Sequence, residues 1–265
     1  MGYRAHLTET CDPDGPRIIT DVQTTAAPSP DQGMLAQVQD ELARRDLLPE
    51  VHLADAGYLA TARLLQAATH HRVTVLGPPP PNPSWQAQEQ TGFSAADFTL
   101  DWEGQRAYCP AGKQSCRWYE RNRTPRGVGR RTFPIVEVDF SVQDCRACAQ
   151  RAQCTRGTRG ARRLTLQPKA IQEALTAARE RTVTPEFAAR YAARAGIEAT
   201  HAQGIRRCGL RRCRYVGMAK TRLQHVLTAL ALNFVRAAEW LGGARPAPTR
   251  IDALRRLDLH GAAQM

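Results

Sequence analysis

Val51-His52-Leu53-Ala54-Asp55-Ala56-Gly57-Tyr58 begins as a short apolar run, and Arg72-Val73-Thr74-Val75-Leu76-Gly77 is a second one downstream. The residues between them, from Leu59, have the pattern of a helix of about ten residues. Strand, helix and strand in this order make a parallel crossover, and that decides the fold class as α/β. Asp55 falls at the C-terminal end of the first strand, where open α/β sheets place ligands and reacting groups. A strand-end Asp is also an ordinary cap or turn former.

Working toward the N-terminus, GYRAHLTET (2–10) alternates Tyr3, Ala5 and Leu7 with polar neighbours. The turn sequence Cys11-Asp12-Pro13-Asp14-Gly15-Pro16 leads from it into RIITDVQTT (17–25), so the two read as an antiparallel hairpin. A helix follows in residues 28–48, where Met34, Leu35, Val38, Leu42 and Leu47 recur near helical spacing and Pro49 closes the segment. Residues 1–77 therefore form the first part of the α/β domain.

Toward the C-terminus, Pro78 to Pro81 with Pro83 make a stiff connector that continues neither a helix nor a central strand. Residues 78–181 read as a basic, cysteine-rich insert with β-like pieces at Phe98–Trp102 and Phe133–Phe140. Helical sequence resumes near Pro168 and restarts at Thr184-Pro185-Glu186, an N-cap, a first-turn proline and an acid at the positive helix end. Residues 182–241 form a helical second part. In its last helix, from Lys220 to Leu241, the stripe Leu223, Val226, Leu230, Phe234, Ala237 and Leu241 reads as a core face, and Gly242-Gly243 stops it. Residues 242–265 read as a tail.

The chain carries 37 Lys and Arg against 25 Asp and Glu, but the excess is not shared evenly. Residues 1–100 hold 6 basic and 12 acidic side chains, a net of −6; residues 101–265 hold 31 and 13, a net of +18. Two runs, Arg151 to Arg163 and Arg206 to Arg222, are dense in arginine, and no acid lies between Glu198 and Glu239. Solvated faces usually interleave acids with bases, so this distribution suits a phosphate backbone. The composition excludes collagen, a coiled coil and a long disordered tail. No stretch approaches the roughly 20 apolar residues of a membrane helix, and the first residues lack a secretion-signal layout, so the expected location is the cytoplasm, with no membrane partner.

In that compartment eight cysteines read as thiols or metal ligands. Cys145-x2-Cys148-x5-Cys154 with Cys109 gives four thiolates suited to a tetrahedral structural Zn²⁺. Cys116 is an alternative to Cys109, and reduced thiols without metal are the plain alternative. Cys208 and Cys213 flank a Gly-Leu-Arg-Arg turn and read as incidental, and Cys11 as structural.

Phe187, Tyr191, Arg194 and Glu198 are spaced by four, three and four, which sets them on one face of the helix starting at Thr184. Glu198 is thereby expected to point inward with an apolar anchor, and a buried carboxylate must be paired or hold a metal. An ion pair with Arg194 one turn earlier is the simpler alternative. Gly196 lowers helix stability by about 1 kcal/mol relative to Ala, which implies a close approach there.

GYRAHLTETCD (2–12), LADAGY (53–58), Tyr191-x2-Arg194-x3-Glu198 and GLRRCRYVGMAKTRLQH (209–225) together resemble the DDE transposases of bacterial insertion sequences. The resemblance implies an RNase H-like mixed sheet flanked by helices, here interrupted by a small zinc-ribbon-like insert. It further implies an Asp, Asp and Glu that bind two divalent metals, Mg²⁺ or Mn²⁺, for cleavage and transfer of DNA strands. Asp55 matches the second Asp and Glu198 the Glu. Tyr191 and Arg194 match residues set against DNA phosphates, and the Arg206, Arg207, Arg211, Arg212, Arg214, Lys220 and Arg222 segment is expected to hold double-stranded DNA, as transposon ends and target. A homodimer on nucleoid DNA is implied as well.

Two departures stand out. The family Lys expected seven residues after Glu198 falls on Ile205, with Arg206 beside it. The first Asp is expected on a strand before the Gly2 hairpin, which this sequence begins too late to contain. Asp12 and Asp14 lie in the far turn of that hairpin, and Asp21 is mid-strand. The expected site is thus incomplete, with weak metal binding. A catalytically inactive DNA-binding remnant or repressor, and a zinc-stabilised RNA- or protein-binding module, are the competing readings.

Overall fold

The structure, a computed structural model, describes residues 2–124, 132–157 and 160–245; the part of the expected tail from 246 onward lies outside them. It is a mixed α/β architecture of several small sheets with helices. Two compact units share the chain: one gathers Met1–Leu59, Gln66–Gly77 and Arg181–Met265, the other Ala60–Leu65 and Pro78–Glu180.

In the first unit β1 (Tyr3–Glu9) and β2 (Ile19–Ala26) form the expected antiparallel hairpin, Leu7 opposite Val22, with an irregularity at Thr8/Glu9. Its buried residues include polar ones, His6 and Asp21, as well as Ile19. His6 is accommodated because both ring nitrogens have partners, Tyr58 Oη at 2.6 Å and Thr25 Oγ1 at 2.8 Å. Helix α1 (Met34–Arg44) buries Met34, Leu35, Val38, Gln39 and Leu42. It ends earlier than Pro49 suggests, with Asp46 in the left-handed region, so Leu47 lies beyond it and stays exposed. Strands β3 (Val51–Leu53) and β4 (Thr74–Leu76) pair in parallel, Val51 with Thr74 and Leu53 with Leu76. In sequence between them come α2 (Thr61–Gln66), all but its last residue belonging to the second unit, and a wide π turn over Ala67–His71. Gly77 has no room for a side chain, since a Cβ there would overlap the Ala54 carbonyl and Leu59.

The second unit holds α3 (Trp85–Gln88), the pair β5 (Thr99–Asp101) and β6 (Arg106–Tyr108), and the antiparallel sheet β7 (Ser115–Arg123), β8 (Phe133–Phe140) and, after α4 (Val142–Ala147) and α5 (Arg151–Cys154), β9 (Arg163–Leu166). Strand order in that sheet is β7-β8-β9. Its core is Phe98, Ala107, Val136, Val138, Phe140, Leu164 and Leu166, the alternation of a half-buried strand being clearest along β9. Glu137 is buried in this sheet, and Arg121 and Tyr119 engage its carboxylate at 2.8 and 2.9 Å.

Helix α6 (Lys169–Thr182) leads to α7 (Pro185–Tyr191), whose N-cap is Thr184: its hydroxyl accepts from Phe187 N at 3.2 Å. The continuous helix expected from Thr184 is instead interrupted by a 3-10 turn at Ala192–Ala195 before α8 (Gly196–Cys208). Last comes α9 (Met218–Leu241), stopped at Gly242 with Gly243 at a φ of 88°.

The expected core stripe on α9 is corrected by the structure. Leu223, Val226, Leu230, Phe234 and Leu241 are exposed, and the helix buries Thr221, Gln224, His225, Thr228, Ala229 and Leu232 instead. Each buried polar group has a partner. Gln224 accepts from Arg214 N and donates to the Arg212 carbonyl, His225 Nδ1 meets Thr24 Oγ1 at 2.8 Å, and the Thr221 and Thr228 hydroxyls donate to carbonyls one turn back. Asn233, nearby, clamps both backbone groups of Ile19. These bonds remove the usual penalty for burying polar side chains.

Candidate functional site

Asp55 follows β3 and caps the 3-10 turn Ala56–Tyr58, its carboxylate accepting from Ala56 N at 2.8 Å. That is the turn-forming role its position allows, but the cap occupies one oxygen only. The other, Oδ2, lies 3.9 Å from Arg194 Nη1, and Nη2 of the same guanidinium holds Glu198 Oε1 at 2.8 Å. One arginine therefore brings the two sequence-singled carboxylates together at the wall of a single cavity of about 510 Å³. Tyr191 stacks on Phe187 with ring centroids 5.3 Å apart, and the Arg194 guanidinium lies 5.7 Å from the Tyr191 ring. Burial, then the nearby Asp55 and Glu198 carboxylates, push the Tyr191 phenol up.

Glu198 does not point inward as its spacing suggests; its side chain is 68% exposed. The buried face of α8 is Gly196, Thr200 and Gly204, because the 3-10 turn shifts the helical phase after Tyr191. The close approach implied by Gly196 is real: a Cβ there would lie 2.5 Å from Arg17 Nη1 and 3.3 Å from Glu9 Oε1.

Other acids line the same cavity but are committed elsewhere. Glu9 is held by Arg236 at 3.0 Å and by the Thr200 hydroxyl, and Asp31 by Arg4 at 2.8 Å. Outside that lining, Asp21 is buried against Arg45 at 2.8 Å, and Asp12 accepts from Asp14 N in the hairpin turn. Glu9, Arg236, Asp31 and Tyr58 were not singled out from sequence, although a glutamate inside the strand of GYRAHLTET and a lone arginine in the apolar half of α9 were visible signals. Burial, then Asp31 and Asp55, push the Tyr58 phenol up to about 12, and burial pushes His52, in the same wall, down to about 4. Among the described residues no group of three or more His, Cys, Asp or Glu side chains is arranged to hold a metal ion.

Arg206, Arg207, Arg211, Arg212, Arg214, Lys220 and Arg222 are all exposed, and among the described residues none forms an ion pair. Gln224 pins the backbone at Arg212 and Arg214, so this segment is presented by α9 rather than left loose. Ile205, where the family Lys is expected, precedes it in α8.

In the second unit Cys109, Cys145, Cys148 and Cys154 line one small cavity with Phe98 and Phe140. Cys109 sits in a tight turn, receiving Gly112 N on its carbonyl at 2.8 Å and Lys113 N on its sulfur at 3.3 Å. Burial pushes the Cys154 thiol up, and the neighbouring Cys109, Cys148 and Cys145 push the same way. Cys116 donates to the Asp139 carbonyl and is not part of that cavity's lining. All eight cysteines are free. Cys11, expected to be structural, is exposed, while Cys213 shares a hydrogen bond with Thr221 at 2.9 Å.

Comparison with known families gives one match: residues 108–238 fit the transposase DDE domain. About half of the chain is covered, including Glu198 and the basic segment but not Asp55, and the match supports the DDE transposase family. No curated protein and no solved structure matches. A transposase DDE domain points to a transposition-related function, to enzymes that act on DNA and to use of divalent metal. Among the described residues no helix is long and apolar enough to cross a membrane.

Proposed function

We propose that this chain is the DNA-acting domain of an insertion-sequence transposase, RNase H-like in fold, with Asp55 and Glu198 as two carboxylates of its strand-cleavage site. The observation that carries this reading is the shared Arg194, which gathers Asp55 and Glu198, 143 positions apart in sequence, at one cavity wall. The exposed Asp55 and Glu198 carboxylates are the residues that would hold Mg²⁺ or Mn²⁺, and the chemistry such an ion would supply there is activation of water or a 3′-hydroxyl and stabilisation of the leaving oxygen. Arg194 holds the two acids near one another against their mutual repulsion, and its planar guanidinium is also suited to a DNA phosphate. Tyr191 packs beside it. The exposed arginine segment supplies sequence-independent affinity for duplex DNA, and the resemblance adds the expectation of a homodimer there.

With the other wall acids tied to Arg236 and Arg4, the 265-residue chain by itself is expected to bind DNA without cutting it, which is also the behaviour of an inactive remnant. The test is a supercoiled-plasmid nicking assay with Mg²⁺ and with Mn²⁺. Binding survives Glu198→Gln and no nicks accumulate. Metal-dependent nicking that disappears in Asp55→Asn would show that a further carboxylate completes the site.

The thiols of Cys109, Cys145, Cys148 and Cys154, which line one small cavity without forming a metal-binding arrangement among the described residues, are proposed to close on one structural Zn²⁺, because four thiolates are its donor set and a unit with a small core gains from such a clip. Elemental analysis of reduced, unchelated protein is expected to give about one zinc per chain, lost in Cys145→Ser and retained in Cys116→Ser. Zinc-free wild-type protein would reject the site.

A further inference from the structure

The connection from α8 to α9, residues 209–217, carries apolar side chains at its root and at its tip, and only the root is covered. Leu210 is tucked against α8: its backbone N donates to the Gly204 carbonyl at 3.1 Å, and its side chain takes the space that a Cβ on Gly204 would need. Tyr215 and Val216, at the tip, are 52% and 94% exposed, and Met218 just beyond them is exposed as well. The backbone that carries them is tied on both sides. Arg212 N donates to the Gly209 carbonyl at 2.8 Å, and Gln224 holds the backbone of Arg212 and Arg214. The Cys213 thiol donates to the Tyr215 carbonyl at 2.9 Å, and Thr221 donates its backbone N and its hydroxyl to the Gly217 carbonyl. Gly217, at a φ of 102°, makes the corner that leads into α9.

The surroundings of this tip are cationic. Arg211, Arg212 and Arg214 precede it and Lys220 and Arg222 follow; all are exposed, and among the described residues none forms an ion pair. An apolar protein surface is a poor partner for this mixture, because the unpaired charges would be desolvated together with the tip. Duplex DNA offers both halves: phosphates for the cations, and base faces for apolar side chains that part a step of the stack.

We propose that Tyr215 and Val216 form a wedge that enters a base step of duplex DNA while the flanking arginines and lysine hold the phosphates on either side. Val216 parts the step, and the Tyr215 ring gives the freed base a surface on which to stack. The loop is already held in its projecting form, so little ordering remains to oppose binding. Parting a step is less costly where pairing is already weakened. The wedge therefore gives an otherwise sequence-independent surface a preference for mismatched or deformable sites. It rests on the reading of this chain as DNA-acting and adds where, and by which side chains, the duplex is deformed.

The test titrates the full chain by fluorescence anisotropy with a perfect duplex and with the same duplex carrying one central mismatch, 2-aminopurine beside that position reporting unstacking. Wild-type protein is expected to bind the mismatched duplex about tenfold more tightly and to raise the 2-aminopurine emission about twofold or more. Tyr215→Ser with Val216→Ser is expected to abolish both effects and to leave the salt dependence on the perfect duplex unchanged. Val216→Ser alone, at a side chain almost wholly in solvent, lowers the preference about threefold, whereas Tyr215→Phe with Val216→Leu retains it. A wild-type chain that binds no DNA would overturn the wedge and the DNA-acting reading together. Binding without mismatch preference or without a rise in emission, or a preference that survives the serine variants, would overturn the wedge alone. Serine variants that bind DNA as the wild type does but lose binding to phosphatidylglycerol vesicles would make the tip a membrane contact instead.

Discussion

Replacing Arg211, Arg212 and Arg214 together with alanine is expected to take roughly 2.7 from the slope of log affinity against log salt for duplex DNA, about 0.9 for each phosphate that these side chains cease to neutralise. At physiological salt the same change weakens binding on the order of a hundredfold. The expectation rests on three features: the side chains are exposed, Gln224 fixes the backbone that carries two of them, and no acid lies between Glu198 and Glu239 to compete for them. Fluorescence anisotropy at several salt concentrations measures it. Glu198→Gln is the matched control, since a single acid beside Arg194 contributes little to phosphate affinity. A slope unchanged in the triple variant, or lowered equally in Glu198→Gln, would place the DNA-binding surface elsewhere.

The parts of the fold that follow from local rules were legible in the sequence. The hairpin, the parallel β3/β4 pair and the Thr184 cap depend on alternation, short apolar runs and capping chemistry, and all appear where expected. The pairing of Asp55 with Arg194 depends on contact across the chain, which spacing reports only through motif resemblance. Phase was the weak point. A helix read as continuous from Thr184 carries a tightened turn at Ala192–Ala195, and that rotation exchanged Glu198 for Thr200 on the inward face.

The inversion of α9 has a different cause. Hydrophobic periodicity identifies an inward face only when the surface it meets is apolar. Here the facing surface is mixed: the side chains of Ile19, Leu7 and Val22 pack with only Ala229 and Leu232, while the backbone of Ile19, the hydroxyl of Thr24 and the loop carbonyl of Arg212 call for hydrogen bonds, so the helix turns toward them the stripe that can supply both. Thr221, Gln224, His225, Thr228 and Leu232 keep helical spacing as strictly as the leucines do. An apolar stripe and a polar stripe of equal period are indistinguishable until the partner surface is known.

The same arrangement predicts where the first unit is most easily broken. Arg236 donates to Glu9 at 3.0 Å, to the Arg17 carbonyl at 2.9 Å, to Thr200 at 2.6 Å and to Gln203 at 3.0 Å, joining β1, α8 and α9 through one guanidinium. Both charged side chains are largely out of water, 12% exposed for Arg236 and 5% for Glu9. Arg236→Met removes one partner and strands the other, and breaking a buried pair in this way costs about 3–5 kcal/mol. Glu9→Met strands the arginine with comparable effect, whereas the double variant removes both charges together and is expected to lose markedly less than the two single losses combined. Urea unfolding followed at a probe within the first unit measures all three, with the surface variant Arg194→Gln as a control that changes stability by no more than about 1 kcal/mol. Additive single losses, or an Arg236→Met loss below about 1 kcal/mol, would show that Glu9 and Arg236 are merely neighbours and that the junction of β1, α8 and α9 is held by its apolar contacts.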